Sequence, residues 1–70
     1  MAIDKVTLPV ARKIAGMTQN DLAKAIGVSE STILNWEKGR REPTISQAVA
    51  IGNAVGIPYD NIIFLPMNTV

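Results

Sequence analysis

The chain has 70 residues, and a domain of this size buries only about 60% of its unfolded surface, so its margin of stability is thin. It contains no cysteine and no histidine, which excludes disulfides and zinc sites built from those ligands. Seven Lys and Arg against six Asp and Glu give a net charge of +1, a low value for a nucleic-acid-binding domain. We expect a single domain over residues 1–70.

The first of five predicted helices covers residues 8–15. It starts after Thr7 and carries Pro9 in its first turn, where the missing N–H of proline would be unpaired in any case. Its buried face is predicted from the apolar residues that recur at helical spacing, namely Val10, Ile14 and Met17.

The second and third predicted helices cover residues 19–26 and 30–38. Thr18 and Asp21 have the spacing of a capping box at the start of the second helix. Ser29 is a candidate N-cap for the third. The apolar residues at helical spacing, which we expect to be buried, are Leu22, Ala23, Ile26, Ile33 and Trp36.

The fourth predicted helix covers residues 45–55, with Thr44 as its cap and Gln47 at the capping-box position. Gly52 lies inside this helix, where glycine costs about 1 kcal/mol relative to alanine. A close contact with another segment at Gly52 would offset that cost. The predicted inner face consists of Ile45, Ala48, Ile51, Gly52 and Val55.

The fifth predicted helix is short and covers residues 58–64, followed by an apolar tail over residues 65–70. No segment alternates convincingly between polar and apolar residues, so no sheet is expected. The predicted fold is therefore all-α, a compact five-helix bundle. The second and third helices meet at Gly27 with one apolar and one polar face. This is the arrangement of a helix-turn-helix, whose second helix lies in the major groove of DNA.

Three motifs carry a resemblance to a known family: GMTQ at residues 16–19, LAKAIGVS at 22–29 and WEKGRREP at 36–43. With these motifs the chain resembles, over residues 11–64, the Cro/C1-type helix-turn-helix family of phage and bacterial repressors. The resemblance implies a lambda repressor-like bundle of five helices. It also implies a Cro-sized repressor that binds a palindromic double-stranded DNA operator as a homodimer, without a cofactor.

Residues at the start of a recognition helix meet base edges. In this chain the candidates for base contact are Ser29, Glu30, Ser31, Leu34 and Asn35. Asn35 has the chemistry to bind adenine through two hydrogen bonds, and Leu34 to contact a thymine methyl group. Ser29 either contacts a base or serves only as the helix cap. Glu30 either accepts a bond from cytosine N4 and penalises wrong sites, or indicates that this surface does not meet DNA.

Candidates for contact with the DNA backbone flank the recognition helix or lie on it: Thr18, Gln19, Thr32, Lys38, Arg40 and Arg41. By the resemblance, Gln19 contacts a phosphate, helped by the helix N-terminus. Thr32 either reaches a phosphate or only faces solvent. The cations either bind phosphates or pair partly with Glu37 and Glu42. Arg12 is expected to pair with Glu37 rather than with DNA.

The C-terminal apolar residues exceed what one short helix can bury, so part of this surface is predicted to meet a second subunit. The predicted dimer interface consists of Ile63, Leu65, Met67 and Val70. The alternative is that this apolar surface plugs the end of the bundle, an interpretation that applies to Ile62 and Phe64. The N-terminal residues do not have the pattern of a signal peptide, and the apolar run 62–67 is too short to cross a bilayer, so a cytoplasmic protein is expected, in a bacterium or a phage-infected cell.

The sequence also bears on two other classes of function, an enzyme and a protein-binding regulator. An enzyme is not expected, because the chain has no His, no Cys, no glycine-rich phosphate loop and no paired carboxylates flanking a cleft. The rival that remains is a protein-binding regulator, an antirepressor or antitoxin, which uses the same fold to bind a repressor or a toxin. Its binding would not depend on salt in the way that DNA binding does.

Overall fold

The computed structural model describes residues 5–64. In chain order the elements are β1 (Val6–Thr7), α1 (Leu8–Ile14), α2 (Gln19–Ile26), α3 (Glu30–Glu37), α4 (Ile45–Val55), a 3-10 turn (Tyr59–Asn61) and β2 (Ile62–Ile63). The four helices begin and end within one residue of the first four predicted ones. The described part of the chain is mostly helical, as predicted.

The fifth predicted helix, over residues 58–64, was wrong. Three of these residues form the 3-10 turn, and the chain then becomes extended in β2. The expectation of no sheet was also wrong, because β2 pairs in parallel with β1. Ile62 pairs with Val6, and Ile63 with Thr7. Two consecutive β-branched residues favour the extended conformation, and the pairing with β1 fixes it.

The capping predictions were confirmed at three of the helices. Thr18 with Asp21, and Thr44 with Gln47, form complete capping boxes at α2 and α4. The Ser29 hydroxyl accepts a hydrogen bond from the backbone N–H of Thr32 at the start of α3. Thr7 makes no side-chain capping bond at α1.

A single core cluster lies where α1, α2, α3, α4 and β2 meet. Its buried residues are Leu8, Ala11, Leu22, Ala23, Ile33, Trp36, Ile51, Val55 and Ile62. The predictions for α2 and α3 were confirmed, except that Ile26 is only half-buried. For α1 the prediction was wrong at Val10 and Ile14, which are exposed, and it missed Leu8 and Ala11, which are buried. The third predicted residue, Met17, is partly buried and packs against the core. On α4 the prediction failed only at Ile45, which is 72% exposed.

Gly52 explains how α4 meets the segment that follows it. A Cβ atom at this position would lie 2.8 Å from the carbonyl oxygen of Ile57 and 3.0 Å from the backbone nitrogen of Tyr59. The contact is closer than a side chain allows. It brings the 3-10 turn directly against α4, and so confirms the close approach predicted at Gly52.

Candidate nucleic-acid interface

Helices α2 and α3 are joined by a short turn at Gly27, whose backbone adopts the left-handed conformation with φ of 79°. This conformation is easy for glycine and costly for other residues, so the turn depends on it. Leu22 on α2 and Ile33 on α3 are both completely buried in the core cluster. The opposite face of α3 is accessible to solvent.

The first turn of α3 contains a cluster of three hydroxyl groups. The Ser29 hydroxyl lies 3.1 Å from that of Ser31 and 2.9 Å from that of Thr32. Ser29 therefore serves as the N-cap that the sequence predicted, and its hydroxyl already has three partners within α3. Thr32 is half-buried, whereas Ser29 and Ser31 are exposed.

The other predicted base-contacting residues also lie on the accessible side of α3. Glu30 is exposed, and Leu34 and Asn35 are half-buried. Within residues 5–64 neither the Glu30 carboxylate nor the Asn35 amide makes a hydrogen bond or an ion pair. A polar group without a protein partner is available to bind a ligand, so α3 presents an acceptor at Glu30 and both a donor and an acceptor at Asn35.

Three cations follow α3 and border this face. Lys38, Arg40 and Arg41 are exposed. Across residues 5–64, the one ion pair joins Arg12 to Glu37, so neither Glu37 nor Glu42 neutralises any of the three. No Asp or Glu side chain within residues 5–64 therefore forms an ion pair with any of these three cations.

Glu37 is held instead by a network that the sequence predicted only in part. The Arg12 Nε atom donates to Glu37 Oε2 at 2.7 Å, and this pair confirms the sequence prediction. Gln19 Nε2 donates to Glu37 Oε1 at 2.9 Å, a contact that the sequence analysis missed. The two charged side chains are only 11% and 7% exposed. The network ties α1, α2 and the end of α3 together, and so fixes the placement of α3.

Gln19 retains its predicted position at the start of α2. Its amide carries two hydrogens, and the bond to Glu37 uses one of them. The preceding residue, Thr18, is exposed, and its backbone N–H donates to Asp21 Oδ2 at 3.0 Å. That bond, with a second from the Thr18 side chain, lowers the pKa of Asp21. Two of the residues predicted to meet the DNA backbone, Thr18 and Gln19, therefore lie at the N-terminus of α2 and are held there by hydrogen bonds.

A concavity of about 490 Å³ lies between α3 and the start of α4. Its polar lining residues are Thr32, Asn35, Arg41, Glu42, Thr44 and Gln47. Two predicted backbone-contacting residues and one predicted base-contacting residue thus share one surface depression. Helix α3 and the loop between α3 and α4 thus line the same depression.

Of the four residues predicted at a dimer interface, only Ile63 lies in the described part of the chain. Its side chain is 39% exposed, because Ile62 is the residue of β2 that turns into the core. Leu65, Met67 and Val70 lie outside the described residues.

No group of three or more His, Cys, Asp or Glu side chains over residues 5–64 is placed to hold a metal ion. None of the helices in the same range is both long and apolar enough to cross a membrane.

Two helices joined at a left-handed glycine, with a buried apolar side and a free polar side flanked by cations, define a helix-turn-helix domain of the DNA-binding class. A family model described as Helix-turn-helix matches residues 10–62. The chain therefore belongs to the Cro/C1-type helix-turn-helix family, as its motifs indicated.

Two archaeal relatives are similar to most of the chain. The chain is 38% identical over 58 residues to an uncharacterized HTH-type transcriptional regulator of Methanocaldococcus jannaschii. The matched region covers 83% of this chain and 88% of the relative. The chain is 41% identical over 54 residues to another such regulator, from Methanothermobacter thermautotrophicus, covering 77% of this chain and 78% of the relative. The phage or bacterial setting implied by the resemblance stays a prediction.

Proposed function

We propose that this protein is a transcriptional regulator that recognises double-stranded DNA by sequence, and that it acts as a Cro-like repressor. Its family and its two relatives, both named transcriptional regulators, support DNA-binding regulation. The observation that carries the proposal is the polar face of α3, where Glu30 and Asn35 have no partner within residues 5–64, next to uncompensated cations. Such a surface matches base edges flanked by phosphates.

In this proposal the residues divide by chemistry. Base edges are read from α3, and the DNA backbone is held by the start of α2, by Thr32 and by the loop that follows α3. The residues proposed to read bases are Ser29, Glu30, Ser31, Leu34 and Asn35. Those proposed to bind phosphates are Thr18, Gln19, Thr32, Lys38, Arg40 and Arg41. The hydroxyl cluster at the first turn gives Ser29 a capping role in either case.

We further propose that two copies bind a palindromic operator. A two-fold dimer places its recognition helices about 34–36 Å apart, one turn of DNA, so that each half-site meets one α3. The exposed Ile63 side chain supports a contact between subunits at β2.

The test is selection of the purified protein against a random duplex library, with binding of the enriched duplexes measured at low and high salt. Because phosphate contacts release counterions, the proposal expects an enriched palindrome whose affinity falls steeply as salt rises. A folded, helical protein that enriches no sequence would overturn it.

A second candidate function is supported by a different observation. The apolar side chains of Val10, Ile14 and Ile45 are 44%, 64% and 72% exposed, and the net charge is only +1. Such surfaces fit a regulator that binds a repressor or toxin protein. Tight binding to a partner protein, combined with no retention on DNA at low salt, would establish this function instead of the first.

A further inference from the structure

The recognition helix α3 contains no cation. Its sequence is ESTILNWE, and the first Lys or Arg after its start is Lys38, one residue beyond its end. Its accessible side chains outside the Glu37 network are Glu30, Ser31, Thr32, Leu34 and Asn35. An ionised carboxylate can only accept hydrogen bonds, whereas a hydroxyl and an amide can do both. The face therefore carries one acceptor-only group at Glu30, groups that do both at Ser31, Thr32 and Asn35, and no cationic donor of the Arg or Lys kind.

The bases differ in which of these groups they can satisfy. Guanine presents two acceptors in the major groove, N7 and O6, and its usual partners are Arg and Lys. Cytosine and adenine present donors, the amino groups at N4 and N6. Glu30 matches cytosine N4, and Asn35 matches adenine through N6 and N7.

The distance between Glu30 and Asn35 along α3 is comparable with the distance between two base pairs of one half-site. Asn35 lies five positions after Glu30, which corresponds to about 7.5 Å along a helix rising 1.5 Å per residue. Base pairs rise about 3.4 Å along the duplex, so the separation corresponds to roughly two base pairs. One helix therefore has the reach to test two amino groups at once.

We propose that this surface recognises its operator through the exocyclic amino groups of cytosine and adenine, and that methylation of those groups blocks binding. Each amino group has two hydrogens, and base pairing uses one of them. In a duplex the methyl group must therefore occupy the position that faces the major groove. It removes the donor that Glu30 or Asn35 needs and adds bulk at the same point. This inference rests on the proposed function.

The test uses the unmodified protein and four random duplex libraries. One contains ordinary bases, and the others contain 5-methylcytosine, N4-methylcytosine or N6-methyladenine throughout. The 5-methylcytosine library is the matched control, since its methyl group also lies in the major groove but leaves the amino group intact. We expect the same half-site to be enriched from the ordinary and 5-methylcytosine libraries. That half-site should bind more weakly by roughly 5- to 150-fold when either amino group is methylated, the discrimination of one good base contact.

Two variants test which residue is responsible for each methylation effect. On the enriched duplex, Asn35→Ala should bind N6-methylated and ordinary adenine equally, while it still discriminates N4-methylcytosine. Glu30→Ala should show the reverse pattern. Helical circular dichroism and burial of Trp36 verify that both variants are folded.

The outcomes separate this inference from the proposed function. Enrichment from the ordinary library with undiminished binding to either amino-methylated duplex overturns the inference and leaves DNA recognition standing. Retention of both methyl effects in both variants also overturns it. No enrichment from any library overturns the proposed function itself.

Discussion

At the scale of single residues, Glu37 links α3 to the two helices that precede it. It lies at the end of α3, yet it accepts hydrogen bonds from Arg12 on α1 and Gln19 on α2. A nearly buried carboxylate is tolerable only when such partners are present. The same bonds hold the N-terminus of α2 beside α3, so the side chain proposed to meet a phosphate and the helix proposed to read bases are placed together.

Breaking this ion pair should destabilise the fold. Arg12→Met leaves the Glu37 charge uncompensated, and removal of one partner of a buried pair costs about 3–5 kcal/mol. Urea unfolding followed by the fluorescence of Trp36, which is 3% exposed, measures the change. In Arg12→Met combined with Glu37→Met the unpaired charge is gone, and most of the stability should return. A cost below about 1 kcal/mol for Arg12→Met alone would show that the pair is as weak as a surface pair.

At the scale of elements, the helices are defined by local chemistry and were therefore predictable. Capping residues and glycines act within four residues of where they stand, so the bounds of α1 to α4 could be predicted from the chain. The parallel pair of β1 and β2 joins residues 56 positions apart, and each strand has only two residues. Two residues are too few to show an alternating pattern, so the sheet could not be predicted from the sequence.

The errors within helices have a similar cause. Two stripes compete on the seven residues of α1, one through Leu8 and Ala11 and one through Val10 and Ile14. Both have helical spacing, so the spacing alone cannot choose between them, and it is the first that packs into the core cluster. Ile45 fits the inner stripe of α4 in spacing, but at the first residue of the helix it lies beyond the edge of the core. The Gln19 contact with Glu37 was missed because it depends on how three helices meet.

The glycine on α4 should resist replacement. Gly52→Ala gains helix propensity worth about 1 kcal/mol, but its Cβ would meet backbone atoms of Ile57 and Tyr59, which cannot move like a side chain end. We expect a net loss of about 1–3 kcal/mol, as for overpacking elsewhere. Thermal unfolding measures it, with Asn53→Ala at an exposed site on α4 as the control. A Gly52→Ala protein as stable as the control would contradict the close contact.

The capping box of α2 should make stability depend on pH. Hydrogen bonds from Thr18 lower the pKa of Asp21, so the charged carboxylate favours the folded state. This contribution is present above the pKa that Asp21 has in the unfolded chain, and it is lost as the pH falls through the lower folded pKa. Asp21→Asn should therefore be less stable than the unmodified protein at neutral pH, with the difference vanishing in acid.

The second capping box provides the control for that measurement. Thr44 and Gln47 form the same bonds without a titrating group. Gln47→Ala should lower stability by the same amount at neutral and acidic pH. A pH-independent loss for Asp21→Asn would show that its hydrogen bonds do not depend on its charge.

At the scale of the whole molecule, the proposed binding to a palindromic operator requires two copies of the chain to meet on DNA. Ile63→Lys places a charge at the proposed contact and should weaken dimers on the operator, while the protein remains folded. Sedimentation equilibrium with a duplex carrying two half-sites measures the number of protomers bound. Ile45→Lys is the control, since that side chain is more exposed and lies outside the proposed interface. If only one protomer of the unmodified protein bound to each duplex, the proposed dimer would be contradicted.

Two variants test the proposal that α3 reads bases while the cations beside it bind phosphates. The affinities of Asn35→Ala and Arg40→Ala are compared on the enriched operator and on every single-base variant of it. Asn35→Ala should lose about 1–3 kcal/mol on the operator and become indifferent to one base pair. Arg40→Ala should weaken all duplexes alike and reduce the salt slope by about one charge. Equal loss on every sequence for Asn35→Ala would show that α3 does not read bases.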